Sequence, residues 1–395
     1  SVAFLILCNS IFAQKNIKSI QLRPLAENNF SNIIPLGTVL QLSFDDLEAD
    51  QKEYFYKIEH MTYDWKPSDL LSNEYISGFD QNPITTVENS FNTFQNYTHY
   101  KVQFPNQNLR ITKSGNYLLS VVDSYDNVLF TRRFTYYEKK AIVGVNVIRS
   151  ANVLTSNSQQ KVQIRVNYNQ NTVRNPGQEI EVAIIQNGDW NISKTNLKPQ
   201  FYRQNQLIYN YVDKTNFWSG NEFLNFNNKQ IRNTTIHIAK VAQGQLFHHY
   251  LYPQERRNRK VYTYNPDING QFIIRTTESN NPSTEADYTV VHFSMKSETN
   301  LNKDVFVYGA FNNFETTEVN KMIYNSQKKL YQTSLLLKQG FYNYTFITKN
   351  SDINTHELNG SFQETENEYS VIVYYKPFGQ NYHQAIGFGT ANTKQ

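Results

Sequence analysis

Eight histidines, one acidic turn, one basic run and a single cysteine are where this chain's chemistry would have to come from. The histidines are His60, His99, His237, His248, His249, His292, His356 and His383, and no two of them form an H-E-x-x-H pair. Only His248 and His249 are neighbours. Neighbours on a strand point to opposite faces, so they are poorly placed to share a metal ion. The turn Asp45-Asp46-Leu47-Glu48-Ala49-Asp50 clusters the carboxylate oxygens that hard cations require. It has no glycine for a tight ligand loop, however, and reads as a solvated hairpin turn. Arg256-Arg257-Asn258-Arg259-Lys260 reads as a solvated loop, and a net charge of +4 over 395 residues is no nucleic-acid footprint. Nucleophile-elbow, P-loop and dinucleotide-binding patterns are missing from the sequence. Glu357 and Glu364 could be offered as a carboxylate pair for glycoside hydrolysis, but any two acids can be. The chain is not read as an enzyme, and no catalytic residue, cofactor or metal is assigned.

The elements around these residues are strands. Hydrophobic residues make up 39 % and charged residues 18 %, while aromatics reach 14 % through 28 Tyr and 26 Phe. Aromatic and β-branched side chains suit pleated, half-buried surfaces. Leu40, Leu42 and Phe44 alternate into the acidic turn, Tyr54, Tyr56 and Ile58 follow it, and Tyr100, Val102 and Phe104 form another run. Tyr117 to Val121 and Val128 to Tyr136 alternate on either side of an Asp/Asn-rich loop, a hairpin signal. Later strands are expected at Lys161 to Tyr168, Ile180 to Ile184, Thr235 to Val241, Tyr288 to Met295, Lys329 to Leu337, Phe341 to Phe346 and Ser370 to Tyr375. Such short strands without a long helical period predict an all-β chain of tandem immunoglobulin-like β-sandwich domains. The expected divisions are a signal remnant over 1–13, a first domain over 14–140, a middle domain over 141–284, a last domain over 285–380 and a frayed tail over 381–395.

Ser1 to Ala13 is an uncharged apolar run, too short to span a bilayer and shaped like the core and cleavage end of a secretory signal. Cys8 lies inside it. A lipoprotein anchor there is the alternative, but bulky Leu7 stands where a small residue is expected. Cleavage at Ala13 would leave an exported protein with no thiol, hence no disulfide and no Cys ligand.

One stretch breaks the strand rhythm. Between the Tyr54 and Tyr100 strands lie about forty residues with no sustained period but many aromatics: Tyr63, Trp65, Tyr75, Phe79, Phe91, Phe94 and Tyr97. Disordered loops are poor in aromatics, so an ordered structure is expected, with one short helix near Pro67 to Leu71. The loop either packs on its own sheet or is offered to a partner.

Several motifs here resemble the plug-protein family of the type IX secretion system. They include Leu42-Ser-Phe-Asp-Asp-Leu47, Tyr56-Lys-Ile-Glu-His60, Asp64-Trp65-Lys66-Pro67, Glu74-Tyr75-Ile-Ser-Gly78-Phe79 and Asn89-Ser-Phe-Asn92. Tyr97-Thr-His-Tyr100, Phe104-Pro-Asn106 and Lys113-Ser-Gly-Asn-Tyr-Leu118 extend the likeness, which thins towards Tyr375. The resemblance implies a periplasmic β protein that docks on a very large outer-membrane translocon barrel of the SprA/Sov type. It would close that pore while no cargo is loaded, peripheral to the membrane and with no transmembrane segment of its own. The expected partner-binding residues are Tyr63, Trp65, Lys66, Pro67, Tyr75, Phe79, Asp80, Phe91, Phe94 and Tyr97. On that reading Trp65→Ala or Phe79→Ala weakens partner binding more than stability. A second, local resemblance joins Val307-Tyr-Gly-Ala-Phe-Asn-Asn-Phe314 and Gly340-Phe-Tyr-Asn-Tyr-Thr-Phe346 to early-set immunoglobulin domains, which include glycogen-binding modules. Phe314 stands where a sugar-stacking Trp would often be and the last domain has no Trp, so this resemblance implies the fold; a carbohydrate-binding envelope protein using that domain is the alternative function. A periplasmic chaperone or adhesin-like binding protein is a third.

Overall fold

A computed structural model describes residues 16–26, 29–169, 173–349, 353–354, 356–380 and 382–393, so the expected signal segment and Cys8 lie outside the described residues. The expected runs become strands because each alternates apolar and polar residues at the period of a pleated sheet. In Tyr54–Met61, for example, Tyr54, Tyr56 and Ile58 are buried while Phe55, Lys57 and Glu59 are not.

The first domain is a two-sheet sandwich. One sheet runs in the order Ile17–Pro24, Leu40–Asp46, Thr98–Phe104, Thr86–Asn89. The other runs Ile33–Pro35, Val128–Tyr137, Gly115–Asp123, Tyr54–Met61, Gln81–Pro83. Their inner faces share one aromatic core, in which Phe44 stacks on Tyr100 at 5.1 Å and meets Phe130 edge-on at 5.2 Å. The predicted hairpin is present, with Gly115–Asp123 paired antiparallel to Val128–Tyr137.

The middle and last domains are not divided as the linear order implies. The strand Glu368–Tyr375, expected to close the last domain, pairs with Ile180–Gln186 of the middle one. Gln384–Asn392, expected as a frayed tail, is the next strand of that same sheet. The opposing sheet is Ile142–Arg149, Gln159–Asn167, Gln206–Tyr209, Phe201–Arg203, with Asn216–Trp218 also on Gln159–Asn167. The middle sandwich is therefore completed by the C-terminal strands. The residues between Trp218 and Glu368 form the last domain as an insertion.

That insertion takes in Leu224–Asn227, Ile238–Gln243, Phe247–Leu251 and Phe272–Ile274, all expected in the middle domain. They join Tyr288–Lys296, Val305–Tyr308, Lys321–Asn325, Leu330–Lys338 and Gly340–Lys349 in one hydrogen-bonded path. The path folds around a single core containing Phe226, Phe293, Tyr342 and Tyr344. Alternation marks a strand but carries no address for its partner, so the insertion was not legible from strand spacing.

Two strands of the middle domain lose the alternation altogether: Ile180–Gln186 and Glu368–Tyr375. Val182, Ile184, Val371 and Val373 face the middle core, while Ala183, Ile185, Ile372 and Tyr374 pack with Ile33 of the first domain. A strand covered on both faces reads as a continuous apolar run.

Candidate functional site

The aromatic loop is ordered and mostly turned inward. Its helix is one turn, Ser72–Tyr75, slightly C-terminal of the expected position, and it leads into the short strand Ile76–Gly78, which pairs with Leu109–Ile111. Tyr75 lies in the first-domain core, with its hydroxyl donating to the Ile58 carbonyl at 3.3 Å. It is therefore not part of an outer binding surface, against the sequence expectation.

Tyr97 is likewise withdrawn from solvent, at 1 % exposure. Its hydroxyl donates to the Ala286 carbonyl at 2.9 Å, and its ring meets Tyr288 edge-on at 5.4 Å. The segment expected as a linker, Asn280 to Thr284, is a helical turn over Pro282–Glu285 that lies against this ring, with Ser283 also within reach of the Tyr97 hydroxyl. Next to it, the backbone N–H groups of Phe94 and Gln95 donate to the Asp287 carboxylate at 2.7 and 3.2 Å, and Phe94 meets Phe247 edge-on. The Phe91 N–H donates to the Thr284 carbonyl at 3.0 Å. This end of the loop seams the first domain to the last.

Beneath the seam is a buried charge cluster that sequence reasoning missed. Asp45, expected in a solvated turn, is fully buried. One of its carboxylate oxygens accepts from the Lys338 ammonium at 2.7 Å and the Tyr288 hydroxyl at 2.6 Å. The other lies 2.6 Å from His99 Nδ1. Ser19 Oγ meets the Tyr288 hydroxyl at 2.7 Å, and the Lys338 ammonium also sits 4.0 Å over the Tyr97 ring. Burial pushes the Asp45 carboxyl up, but Lys338 and His99 outweigh it and hold it below the usual carboxylate range. Burial also lowers the Lys338 ammonium, against the opposing pull of Asp45. The sequence offered no local signal for this, since Asp45 shares its strand face with Gln41 and Ser43, opposite Leu40, Leu42 and Phe44. Its partner Lys338 is 293 positions away, beyond any local pattern.

Tyr63 and Trp65 seam the first domain to the middle one. Tyr63 lies 4.9 Å from the His383 ring and 6.3 Å from Tyr374, and its hydroxyl hydrogen-bonds Asn196. Trp65 adopts φ +64 and meets Trp190 edge-on at 4.8 Å, with the Arg133 guanidinium 4.8 Å over its ring. Asn116 knits the same junction: it donates to the Thr62 carbonyl and accepts from the hydroxyls of Thr135 and Tyr374 at 2.8 Å each. Between the middle and last domains, the Tyr308 hydroxyl donates to Asp189 at 2.6 Å. Burial raises the Asp189 carboxyl to about 6.

The rest of the expected set faces solvent. Phe79 is 68 % and Phe91 70 % exposed, Phe94 is 47 % exposed despite its contact, and nearby Leu71 is 69 % exposed. Asp80, Lys66 and Pro67 are also exposed, Lys66 in a surface pair with Asp64 at 2.7 Å.

The other chemistries resolve into structural roles. Asp46, Glu48 and Asp50 converge, but the Lys52 ammonium lies among them, 3.0 Å from Asp46 and 3.3 Å from Asp50, and pairs with Glu48. His248 and His249 do face opposite ways, His249 fully buried and His248 2.9 Å from His292 on the adjacent strand. In the basic run, Arg257 turns inward to the carbonyl of Glu222 and the side chain of Asn359, and burial lowers its guanidinium to about 10. Glu357 pairs with Lys303 at 2.6 Å. Phe314 is buried beside Tyr308, so it presents no open face for a sugar ring.

The family model described as "Type 9 secretion system plug protein 1st domain" matches residues 17–138, the span of the first sandwich. The crystal structure, at 2.30 Å resolution, of a hypothetical protein from Parabacteroides merdae ATCC 43184 is similar throughout. It has a TM-score of 0.92 and 30 % identity over 96 % of this chain and 98 % of that one. A partial N-terminal region of an Enterococcal surface protein, at 8 % identity and a TM-score of 0.18, carries no structural argument. The comparison with curated proteins returned no match. The family's first-domain motifs lie on the sandwich and the loop whose seams have just been traced, and this chain belongs to the type IX secretion system plug family.

Proposed function

We propose that the protein is a periplasmic plug: it seats on the periplasmic opening of the type IX outer-membrane translocon barrel and closes the pore when no cargo is loaded. The observation that carries this reading is the locking of three β domains into one body by buried polar seams. Asp45 with Lys338 and Tyr288, Asn116 with Tyr374, and Asp189 with Tyr308 each tie two domains together. The likeness at TM-score 0.92 to a chain only 30 % identical supports a common arrangement of the domains. A stopper must keep its shape across an opening of a barrel with on the order of 36 strands, and it acts by occupying space rather than by turning over a substrate.

A seated stopper also needs an interface of roughly 1,600 Å² or more, anchored by aromatics in its centre. The side chains available for that role are Phe79, Phe91 and Phe94, with Asp80, Lys66 and Pro67 beside them in the chain. Tyr63, Trp65, Tyr75 and Tyr97 support the body instead. The test is affinity purification from native envelopes, followed by Phe79→Asp and Phe91→Asp variants. A very large outer-membrane barrel should copurify with the unaltered chain and be lost with the variants. Deleting the gene should make the envelope leak small molecules. An envelope equally tight without the protein, or copurification indifferent to both variants, would remove the plug reading.

A further inference from the structure

A cavity of about 570 Å³ lies where the three domains meet. The first domain contributes Ile20 to Arg23 and Thr131 to Arg133, the middle domain Asp189 and Trp190, and the last domain Asn269 and Phe314. Its size is that of a ligand site. Two features of its first-domain wall point to an occupant.

The first feature is a surplus of donors. Arg23, Arg132 and Arg133 all line the cavity, and none makes an ion pair among the described residues. Arg132 donates once, to the Thr131 carbonyl at 2.8 Å, and lies over the Phe130 ring, while Arg133 lies over Trp65. A guanidinium carries five N–H donors, so most of theirs are unclaimed. Burial lowers all three guanidinium groups, against an opposing pull of Glu315 on Arg132 and Arg133 from across the cleft, and partial drying strengthens any ion pair formed there. Acids do line the other walls, but each is engaged: Asp189 with Tyr308, Glu315 with Asn313 and Glu368 with Ser370. Gln21 Nε2 and Asn269 Oδ1, both on cavity-lining residues, are buried without a hydrogen-bond partner.

The second feature is open backbone. Ile17–Pro24 is the outermost strand of its sheet and pairs only with Leu40–Asp46. Across the same side of the sandwich, Ile33–Pro35 pairs with Val128–Tyr137 only from Thr135 onwards, leaving Thr131 and Arg132 beyond its end. An unpaired edge is a template for another strand, and side chains beside it set which strand is accepted.

We infer that this cleft binds an extended acidic peptide segment, which adds as a strand along Ile20–Arg23 while its carboxylates engage Arg23, Arg132 and Arg133. The inference stands apart from the plug reading, because it concerns the isolated protein. Carboxylate–guanidinium pairs are bidentate and charge-assisted, which selects glutamate or aspartate over their amides.

The probe is an acetylated and amidated octapeptide of four Thr-Glu repeats, titrated into the full chain and followed by calorimetry. Binding should be saturable and weaken with salt. The matching Thr-Gln octapeptide should bind at least about tenfold more weakly, and Arg132→Gln should cause a loss of similar size. Arg133→Gln, whose side chain is exposed, is the second variant, and a melting curve on each shows that the fold is kept. Hydrogen exchange should slow at the amides of Ile20 to Arg23 when the peptide is bound. Equal binding of the two peptides, no binding at about 1 mM, or unchanged exchange at those amides would overturn the inference. So would full displacement by inorganic phosphate at equal concentration, which would make the cleft a free-anion site only.

Discussion

Replacing Lys338 by methionine keeps most of the side-chain volume and removes the charge that faces Asp45. The side chains of this pair are only 2 % and 1 % exposed, at a separation of 2.7 Å. The pair is therefore dry, unlike Lys66–Asp64, where the lysine is 77 % exposed and about 0–1 kcal/mol is at stake. Removing one member of a buried pair leaves an uncompensated charge and costs about 3–5 kcal/mol. With an unfolding entropy of about 2 cal/mol/K per residue, a chain of this length should melt roughly 4–6 °C lower. The pH dependence gives a second, independent readout. In the parent chain Asp45 sits below its unfolded pKa, so its contribution is full above about pH 4 and is lost as pH falls through the folded value. In Lys338→Met burial acts without the ammonium and raises that carboxyl, so the variant's deficit should shrink as pH falls from 7 towards 4. Adding Asp45→Asn should restore at least half of the loss, because no unpaired charge then remains. The assay is urea unfolding at several pH values. A cost below about 1 kcal/mol, or a deficit that widens on acidification, would show that the pair does not hold the first and last domains together.

Trp65→Ala should cost roughly 2 kcal/mol in chemical denaturation, since the side chain packs on Trp190 and Arg133; a neutral effect would return Trp65 to the outer surface. Phe79→Asp should stay within about 0.5 kcal/mol of the parent chain, because the native ring lies mostly in solvent. Gly115→Ala should destabilise by more than about 2 kcal/mol, as seen by melting. Its φ is +151, and an added Cβ would lie 2.9 Å from the His383 carbonyl and closer still to His60 Nε2. The Asp189 carboxyl is raised to about 6, so its burial penalty grows as pH climbs from 4 through 6 and the fold gains on acidification across that window. Asp189→Asn should flatten that gain by on the order of 2–3 kcal/mol, and an unchanged pH profile would show that the carboxyl is solvated.

Strand positions were legible because alternation is a local property: Tyr54, Tyr56 and Ile58, or Val162, Ile164 and Val166, declare a buried face within a few residues. The aromatic density of Tyr63 to Tyr97 correctly announced an ordered loop, since rings need buried surface. Which rings stayed outside was not legible. Tyr75 and Phe79 are four residues apart and chemically alike, yet one is in the core and the other in solvent. Likewise Asp45 and Glu48 belong to one acidic run, but Asp45 meets a lysine from another domain while Glu48 meets its near neighbour Lys52 and Asn16 of the same domain.

By itself, the chain's order of residues determined the all-β class, most strand locations and the family motifs of the first sandwich. Each of these depends on side chains within one strand or one turn. Only the tertiary structure decided that Glu368–Tyr375 and Gln384–Asn392 complete the middle sandwich, and that the last domain is an insertion. Only it decided that Asp45, Tyr97 and Trp65 are seams. Backbone pairing is the same for every strand, so the choice of partner falls to the burial of whole faces, and that is settled among residues hundreds of positions apart.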